Sequence, residues 1–415
     1  MQQSINCKAP MTKTSNADYS AHLAGFGRLA TAAVAGVTDV VEAVHRQIAY
    51  PSSGLGGPSA ERPTPGITGL VYNSIRGVNR LVEFGFAASA ARYPARPMKL
   101  SPRREAVVAA LNGVVGDYLV RTNNSLAISM SLRRNGRPLE IERHSLQAAI
   151  QNVSGKVLLL IHGLCLNDLK WKRNGRDLGA AVARKFGYSP LYLHYNTGLH
   201  ISENGQSLAT LLQTLVEQWP VPVEELAIIG HSMGGLVSRS AHYYGTAAGH
   251  QWPAHLRRIM FLGTPHHGAP LERLGNWADT ALEISPYSAP FARLGKIRSA
   301  GITDMRHGTL LEDHWKGRDR FQHSQDLRTP VSLPIGVQCC AIAATTRQAT
   351  EAYSLDLFGD GLVPVGSALG RHRDPAMSLE FHEAHQWIGY GMSHWDLLSC
   401  PAVYGRIRGW FGEPC

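Results

Sequence analysis

The 415-residue chain has no apolar run approaching the roughly twenty residues that a membrane-crossing helix requires. Its first twenty residues, MQQSINCKAPMTKTSNADYS, lack the apolar core of a secretory signal, and Cys7 lacks the apolar stretch that precedes a lipoprotein cysteine. The expectation is therefore a cytoplasmic protein, with secretion by a route other than Sec as the alternative. Cysteine is sparse. The six (Cys7, Cys165, Cys339, Cys340, Cys400 and Cys415) form no C-x-x-C pair, which argues against a zinc scaffold or a small-domain disulfide framework and for buried free thiols. A dense Lys/Arg run is also missing. The basic residues come in dispersed pairs such as Arg103-Arg104, Arg133-Arg134 and Arg257-Arg258, so the formal charge of +10 reads as a solvated surface and not as a nucleic-acid groove. There is no internal repeat and no low-complexity tract.

What is present is the composition of an ordinary globular protein, 44% hydrophobic and 17% charged, with 42 glycines and 23 prolines to make short turns. The pattern changes near residue 125. Before it, three segments have helical periodicity. The first carries Leu23, Phe26, Val34, Val37, Val41, Val44 and Ile48; after a Pro/Gly-rich break from Pro51 to Gly66, the second carries Ile67, Leu70, Val71, Ile75, Val78, Leu81 and Val82. The third opens with Ser101-Pro102, an N-cap and first-turn proline, and presents Val107, Val108, Leu111, Val114 and Val115. Glycines dilute these faces, which favours packing on protein over lying in a lipid surface. The expected division is a helical accessory region over 1–120, docked on the body or facing a membrane or partner, and a catalytic domain over 125–415.

After Ser125, Leu126, Ile128, Met130 and Leu132 alternate with small or polar residues, and Asn135-Gly136 turns the chain into Leu139 and Ile141, a hairpin signal. Apolar runs then alternate with helical stretches: Val157–Ile161, Leu191–Tyr195, Leu226–Ile229, Ile259–Leu262 and Val337–Ala343. This predicts an α/β fold, a mostly parallel sheet with helices on both faces. The stretch 268–330 interrupts the alternation and reads as a cap or lid insertion. Its Leu271, Leu274, Trp277, Leu282, Phe291 and Leu294 would either line an acyl pocket or pack the insertion on the body.

Within this frame, the run from Leu226 leads into Gly230-His231-Ser232-Met233-Gly234-Gly235 and a following helix. This is G-x-S-x-G in its strand–turn–helix setting, where glycines allow the tight turn that projects a serine nucleophile, Ser232. The helix behind it aims N–H groups at developing negative charge. Upstream, Val157–Ile161 ends in His162-Gly163-Leu164, the place for a second oxyanion donor. The backbone N–H groups of Leu164 and Met233 are the expected pair, with His162 a supporting histidine. The triad order is Ser, acid, His. Asp360 stands between glycines in Phe358-Gly359-Asp360-Gly361, and His394 follows the last apolar run, Trp387–Gly391. Asp304 and Asp356 are the competing acids, and His382 and His385 the competing histidines.

The segments LLLIHGLCLND, AIIGHSMGGLVSR, IMFLGTPHHGAPLERLGNW, GDGLVPVGSALG and SHWDLL together resemble the bacterial lipase and GPI inositol-deacylase-like branch of the α/β-hydrolases over residues 125–415. The resemblance implies an α/β-hydrolase fold and cleavage of a carboxylic, lipid or acyl ester without an organic cofactor. It carries the family triad onto Ser232, Asp360 and His394, and the oxyanion donors onto Leu164 and Met233. Asp396 occupies a His-x-Asp place near which some secreted relatives bind calcium, but no second acidic ligand accompanies it, so no metal is expected. The same triad could also serve an acyltransferase, thioesterase or amidase. The alternative from another class is a non-catalytic lipid- or partner-binding protein.

Overall fold

The computed structural model describes residues 19–49, 74, 76–85, 88, 101–173, 175–270, 298–318, 326, 328–348 and 359–413. These group into two compact units, one drawn from residues 1–101 and 123–126, the other from 102–122 and 127–415. In the first, helix α1 (Tyr19–Ala49) closes on the segment 124–126. The Asn124 amide donates to the Gly25 carbonyl at 3.1 Å, and the Ser125 hydroxyl donates to that of Ala21. Helix α2 (residues 76–85) is tied to α1 by Asn79, whose amide donates to the Thr31 carbonyl at 2.6 Å. The earlier part of the second predicted helix, including Ile67, Leu70 and Val71, lies outside the described residues. So do Leu271, Leu274, Trp277, Leu282, Phe291 and Leu294. Among the described residues, no helix is long and apolar enough to cross a membrane.

The second unit begins with α3 (Pro102–Arg121), which starts at the proline that the capping pattern predicts. It belongs with the sheet, although its sequence reads as part of the N-terminal helical region. The hairpin β1 (Ser131–Arg134) and β2 (Arg137–Pro138) turns at Asn135 and Gly136, both at positive φ (51° and 71°), as a two-residue Asn-Gly turn requires. The alternating segment from Leu126 does not pair until Ser131. Its backbone donors are taken earlier: Leu126 N–H by the Asn124 side chain at 3.0 Å, and Ile128 N–H by Asn112 of α3 at 2.9 Å.

After helix α4 (Arg143–Ala149) come β3 (Lys156–Ile161), the short ribbon β4 (Lys172–Arg173) and β5 (Arg176–Asp177), α5 (Leu178–Phe186) and β6 (Ser189–His194). Then follow α6 (Ile201–Gln218), β7 (Glu225–His231), α7 (Met233–Ala247), β8 (Leu256–Leu262), β9 (Gln338–Thr345), β10 (Gln386–Tyr390) and α8 (Pro401–Gly412). The eight-stranded sheet has the order β10-β9-β8-β7-β3-β6-β1-β2. It is parallel from β10 to β6 and antiparallel at β1 and β2. Its central strands are buried on both faces, the signature of a parallel sheet covered by helices. Leu158, Leu160, Ile229, Met260 and Ile342 pack with Val182 of α5 and with Ile407 and Trp410 of α8. Residues between them point to the opposite face, where α7 lies along β3, β7 and β8 with α6 packed on it. The register pairs Ile161 with Gly230 and His231 with Leu262, so the carboxyl ends of β3, β7 and β8 finish side by side.

Asp177 joins two of these elements. Its carboxylate accepts from the Ala180 N–H at 2.9 Å, capping α5, and from the Tyr192 hydroxyl of β6 at 2.7 Å. Asp177→Ala should lower the stability of the full chain to urea by about 1–2 kcal/mol, as for the loss of a helix cap. Combining it with Tyr192→Phe should cost less than the sum of the two single changes. Strict additivity would show that the two contacts do not share the carboxylate.

Candidate active site

The carboxyl ends of β3, β7 and β8 put three loops at one edge of the sheet. At the end of β7, Ser232 has φ 54° and ψ −124°, a left-handed conformation rarely adopted by a residue with a side chain. It is held there from both sides. Its N–H donates to the Leu262 carbonyl at 2.8 Å, and its carbonyl accepts from Gly235 at 3.0 Å. A side chain at Gly234 would stand 2.2 Å from the Ile161 carbonyl, so the start of α7 approaches β3 only because that position is glycine. Ser232 is almost wholly buried, at 1% exposure.

His394 lies on the turn after β10. Its Nδ1 donates to Asp360 Oδ2 at 2.6 Å, with both side chains 1% exposed. The other carboxylate oxygen accepts from the N–H groups of Leu362 and Val363 at 3.0 and 2.9 Å, which orients the acid without its neighbours' side chains. The Asp360 carbonyl also accepts the His394 N–H at 3.0 Å. The acid thus fixes both the ring and the backbone of the histidine. Because Nδ1 carries the proton toward Asp360, Nε2 is left as the acceptor nitrogen, and among the described residues it has no hydrogen-bond partner. The β7 end and the His394 turn meet directly, as His231 Nε2 donates to the His394 carbonyl at 3.3 Å and the two rings lie 4.7 Å apart. Gly263, just past β8, lies beneath the imidazole, where a side chain would come within 3.0 Å of His394 Cε1.

The competing residues sit elsewhere. Asp304 accepts from His200 Nδ1 at 3.0 Å and from the Ile201 N–H at 2.8 Å, at the start of α6. His382 accepts from the Ala384 N–H, and His385 pairs with Glu413 at 3.2 Å, both before β10. Asp356 lies outside the described residues. Leu164 is fully buried just beyond β3, and Met233 is the first residue of α7, where an N–H has no acceptor within the helix. Two contributors escaped the sequence reading. His231 and Gly263 stand inside quoted motifs, but their contact with the His394 turn depends on the order of strands. Asp396 clamps that turn, accepting from the Ser393 N–H and hydroxyl at 2.9 and 2.6 Å. The Ser393 bonds hold its carboxyl below the usual range. Among the described residues, no three His, Cys, Asp or Glu side chains are grouped to hold a metal ion.

Several histidines around the site are buried and neutral. Burial lowers His162 from 6.5 to about 4 and holds His194, His231 and His266 well below 6.5. The unfolded chain therefore takes up protons below pH 6.5 that the folded chain refuses. Stability is full above that pH and falls as pH drops toward about 4, by up to about 1.4 kcal/mol per pH unit for each such histidine. Urea midpoints measured from pH 7.5 to 4.5 should fall steeply below 6.5. A flat profile across that window would show that these imidazoles take up protons in the folded protein as readily as in the unfolded chain.

The family model of the PGAP1-like alpha/beta domain matches residues 152–334. No curated protein sequence matches the chain. Among solved structures the chain is similar to the mature lipase BlEst2 of Bacillus licheniformis, at 16% identity over 68% of this chain and 98% of that one, with a TM-score of 0.41. It is also similar to the esterase Pf2001 of Pyrococcus furiosus, at 16% identity over 63% and 81% of the two chains, TM-score 0.34. EstA of Clostridium botulinum is similar at 10% identity over 76% and 98%, TM-score 0.38. The family match covers less than half of the chain, and the fold it accompanies is an α/β-hydrolase fold: a mostly parallel sheet with a strand–serine–helix turn at its carboxyl edge.

Proposed function

We propose that the chain is a serine hydrolase that cleaves a carboxylic ester of a lipid or other acyl compound through an acyl-enzyme. The observation that carries this reading is the buried Asp360–His394 pair at 2.6 Å, set beside the strained Ser232 turn. Asp360 holds the imidazole with its proton on Nδ1, so Nε2 can take the Ser232 hydroxyl proton as Oγ attacks the ester carbonyl. The carbonyl oxygen becomes an oxyanion, and the N–H groups of Met233 and Leu164 donate to it; such a donor is worth about 3 kcal/mol in the transition state. Collapse breaks the bond to the alcohol, which leaves with the proton from His394. Water then attacks the acyl-enzyme with His394 as base, releasing the acid and restoring Ser232.

Support comes also from what the other acids do. Asp304, the alternative within the described residues, accepts from His200 and the α6 terminus, whereas His394 Nδ1 is taken by Asp360. The reaction uses the chain's own groups for every proton transfer.

A fluorophosphonate probe should label the wild-type protein at Ser232, and p-nitrophenyl esters of graded chain length should be hydrolysed. Ser232→Ala should abolish both while the protein stays folded. Asp360→Asn should lower kcat by about 10³–10⁴-fold by favouring the wrong tautomer of His394, whereas Asp304→Asn should leave kcat within about tenfold. Failure of the folded wild type to react with the probe or any ester would sink the hydrolase reading. A damaging Asp304→Asn beside a mild Asp360→Asn would reassign the acid.

A further inference from the structure

Cys165 follows the oxyanion candidate Leu164 and has φ 58°, left-handed for a residue with a side chain. Such a conformation persists only where its surroundings impose it. Its thiol is buried, and burial pushes it up to about 12, so it is neither a nucleophile nor an oxidation-prone sulfur at neutral pH. The surroundings supply two constraints. The Cys165 N–H donates to Thr197 Oγ1 at 3.1 Å, with Thr197 only 1% exposed. Against the other side lies α3, where a side chain at Gly113 would stand 2.2 Å from Cys165 Sγ and 2.9 Å from its Cα and N. The helix therefore touches the Cys165 backbone itself.

That turn of α3 is itself held. Val115 departs from helical geometry (φ −133°, ψ 22°). On either side of it, the Gly113 carbonyl accepts from the Ser299 hydroxyl at 2.5 Å and the Gly116 carbonyl from the Asn196 amide at 3.1 Å. Asn196 and Thr197 belong to the same loop after β6, so one loop binds α3 and Cys165 together. A side chain at Gly198 would stand 2.1 Å from the Asn112 carbonyl, so loop and helix meet backbone to backbone.

We infer that Gly113 and Thr197 are positioning residues for ester cleavage: they hold Cys165 left-handed between them, and so aim the Leu164 N–H at the oxyanion. The inference rests on the proposed hydrolase reading. Both residues are buried, and their effect reaches the reaction through the direction of one N–H. Losing an oxyanion donor lowers kcat about 10²–10³-fold, and misplacing a reacting group by about an ångström has an effect of about 10²-fold.

The test uses the full-length chain with Thr197→Val, Thr197→Ser and Gly113→Ala, read by p-nitrophenyl ester kinetics, fluorophosphonate labelling rate and thermal melting. Thr197→Val keeps the shape and removes the acceptor; it should lower kcat about 10- to 100-fold with KM within about threefold, and slow labelling in parallel, because the phosphonyl oxygen uses the same donors. Thr197→Ser keeps the hydroxyl and should restore kcat to within about threefold of the wild type. Gly113→Ala should follow Thr197→Val where it folds; where it does not, the Thr197 pair decides alone. Wild-type kcat in folded Thr197→Val, or equal loss in Thr197→Val and Thr197→Ser, would overturn the positioning role. A wild type that is folded but neither labelled nor active would instead overturn the hydrolase reading, and this inference with it.

Discussion

The backbone of Ser232 is the constraint around which the second unit is arranged. A side-chain-bearing residue at φ 54°, ψ −124° carries strain of about 1–3 kcal/mol, which the surrounding contacts must offset. The sheet order provides them. With β7 between β3 and β8, the Ser232 N–H meets the Leu262 carbonyl and Gly234 meets the Ile161 carbonyl, so both neighbouring strands grip the turn. A nucleophile elbow on an edge strand would lose one of these supports. Central placement also makes the turn deep, and depth brings a second consequence.

Depth determines the electrostatics. Ser232, Asp360 and His394 are each nearly inaccessible to solvent, where interactions between charged and polar groups are strengthened and uncompensated charge is costly. The chain answers that cost differently at each titratable group. Asp360 is surrounded by donors: two turn N–H groups on one oxygen and an imidazole on the other. His162, His194, His231 and His266 are held neutral by burial, His194 even with the Asp168 carboxylate 3.4 Å from its Nδ1. His394 differs from them in hydrogen-bonding a buried carboxylate directly, with Nδ1 2.6 Å from Asp360.

Legibility in the sequence followed the range of the interactions. The strands at 157–161, 226–229 and 259–262 were readable because each is an unbroken apolar run, and Ser232 because its turn demands glycines two residues to either side. Asp360 and His394 were readable as a loop acid and a strand-end histidine in the required order, but only the folded chain puts their side chains 2.6 Å apart. The hairpin is legible through Asn135-Gly136, while its first strand is shorter than the alternation from Leu126 predicts, because side chains of Asn112 and Asn124 capture the backbone donors of Ile128 and Leu126. Asp396 clamps the His394 turn, a role that depends on where Ser393 points and that the His-x-Asp spacing does not disclose.

Helix α3 marks where reading by segments fails. Its periodicity matches the helices before it, and nothing local to Pro102–Arg121 distinguishes it as part of the second unit. The distinguishing features are glycines at 113 and 116, which in a propensity reading only weaken the helix. In the fold they are the surface: Gly113 admits the Cys165 backbone, and Gly116 lies against Asn196. Residues from three loops, Cys165, Asn196 and Ser299, converge on this one turn of a helix that precedes the sheet in the chain. The positions that weaken α3 as an isolated helix are thus the ones that let it pack on the loops around the candidate site. A glycine inside a predicted helix is evidence of instability only until the backbone that approaches it is known.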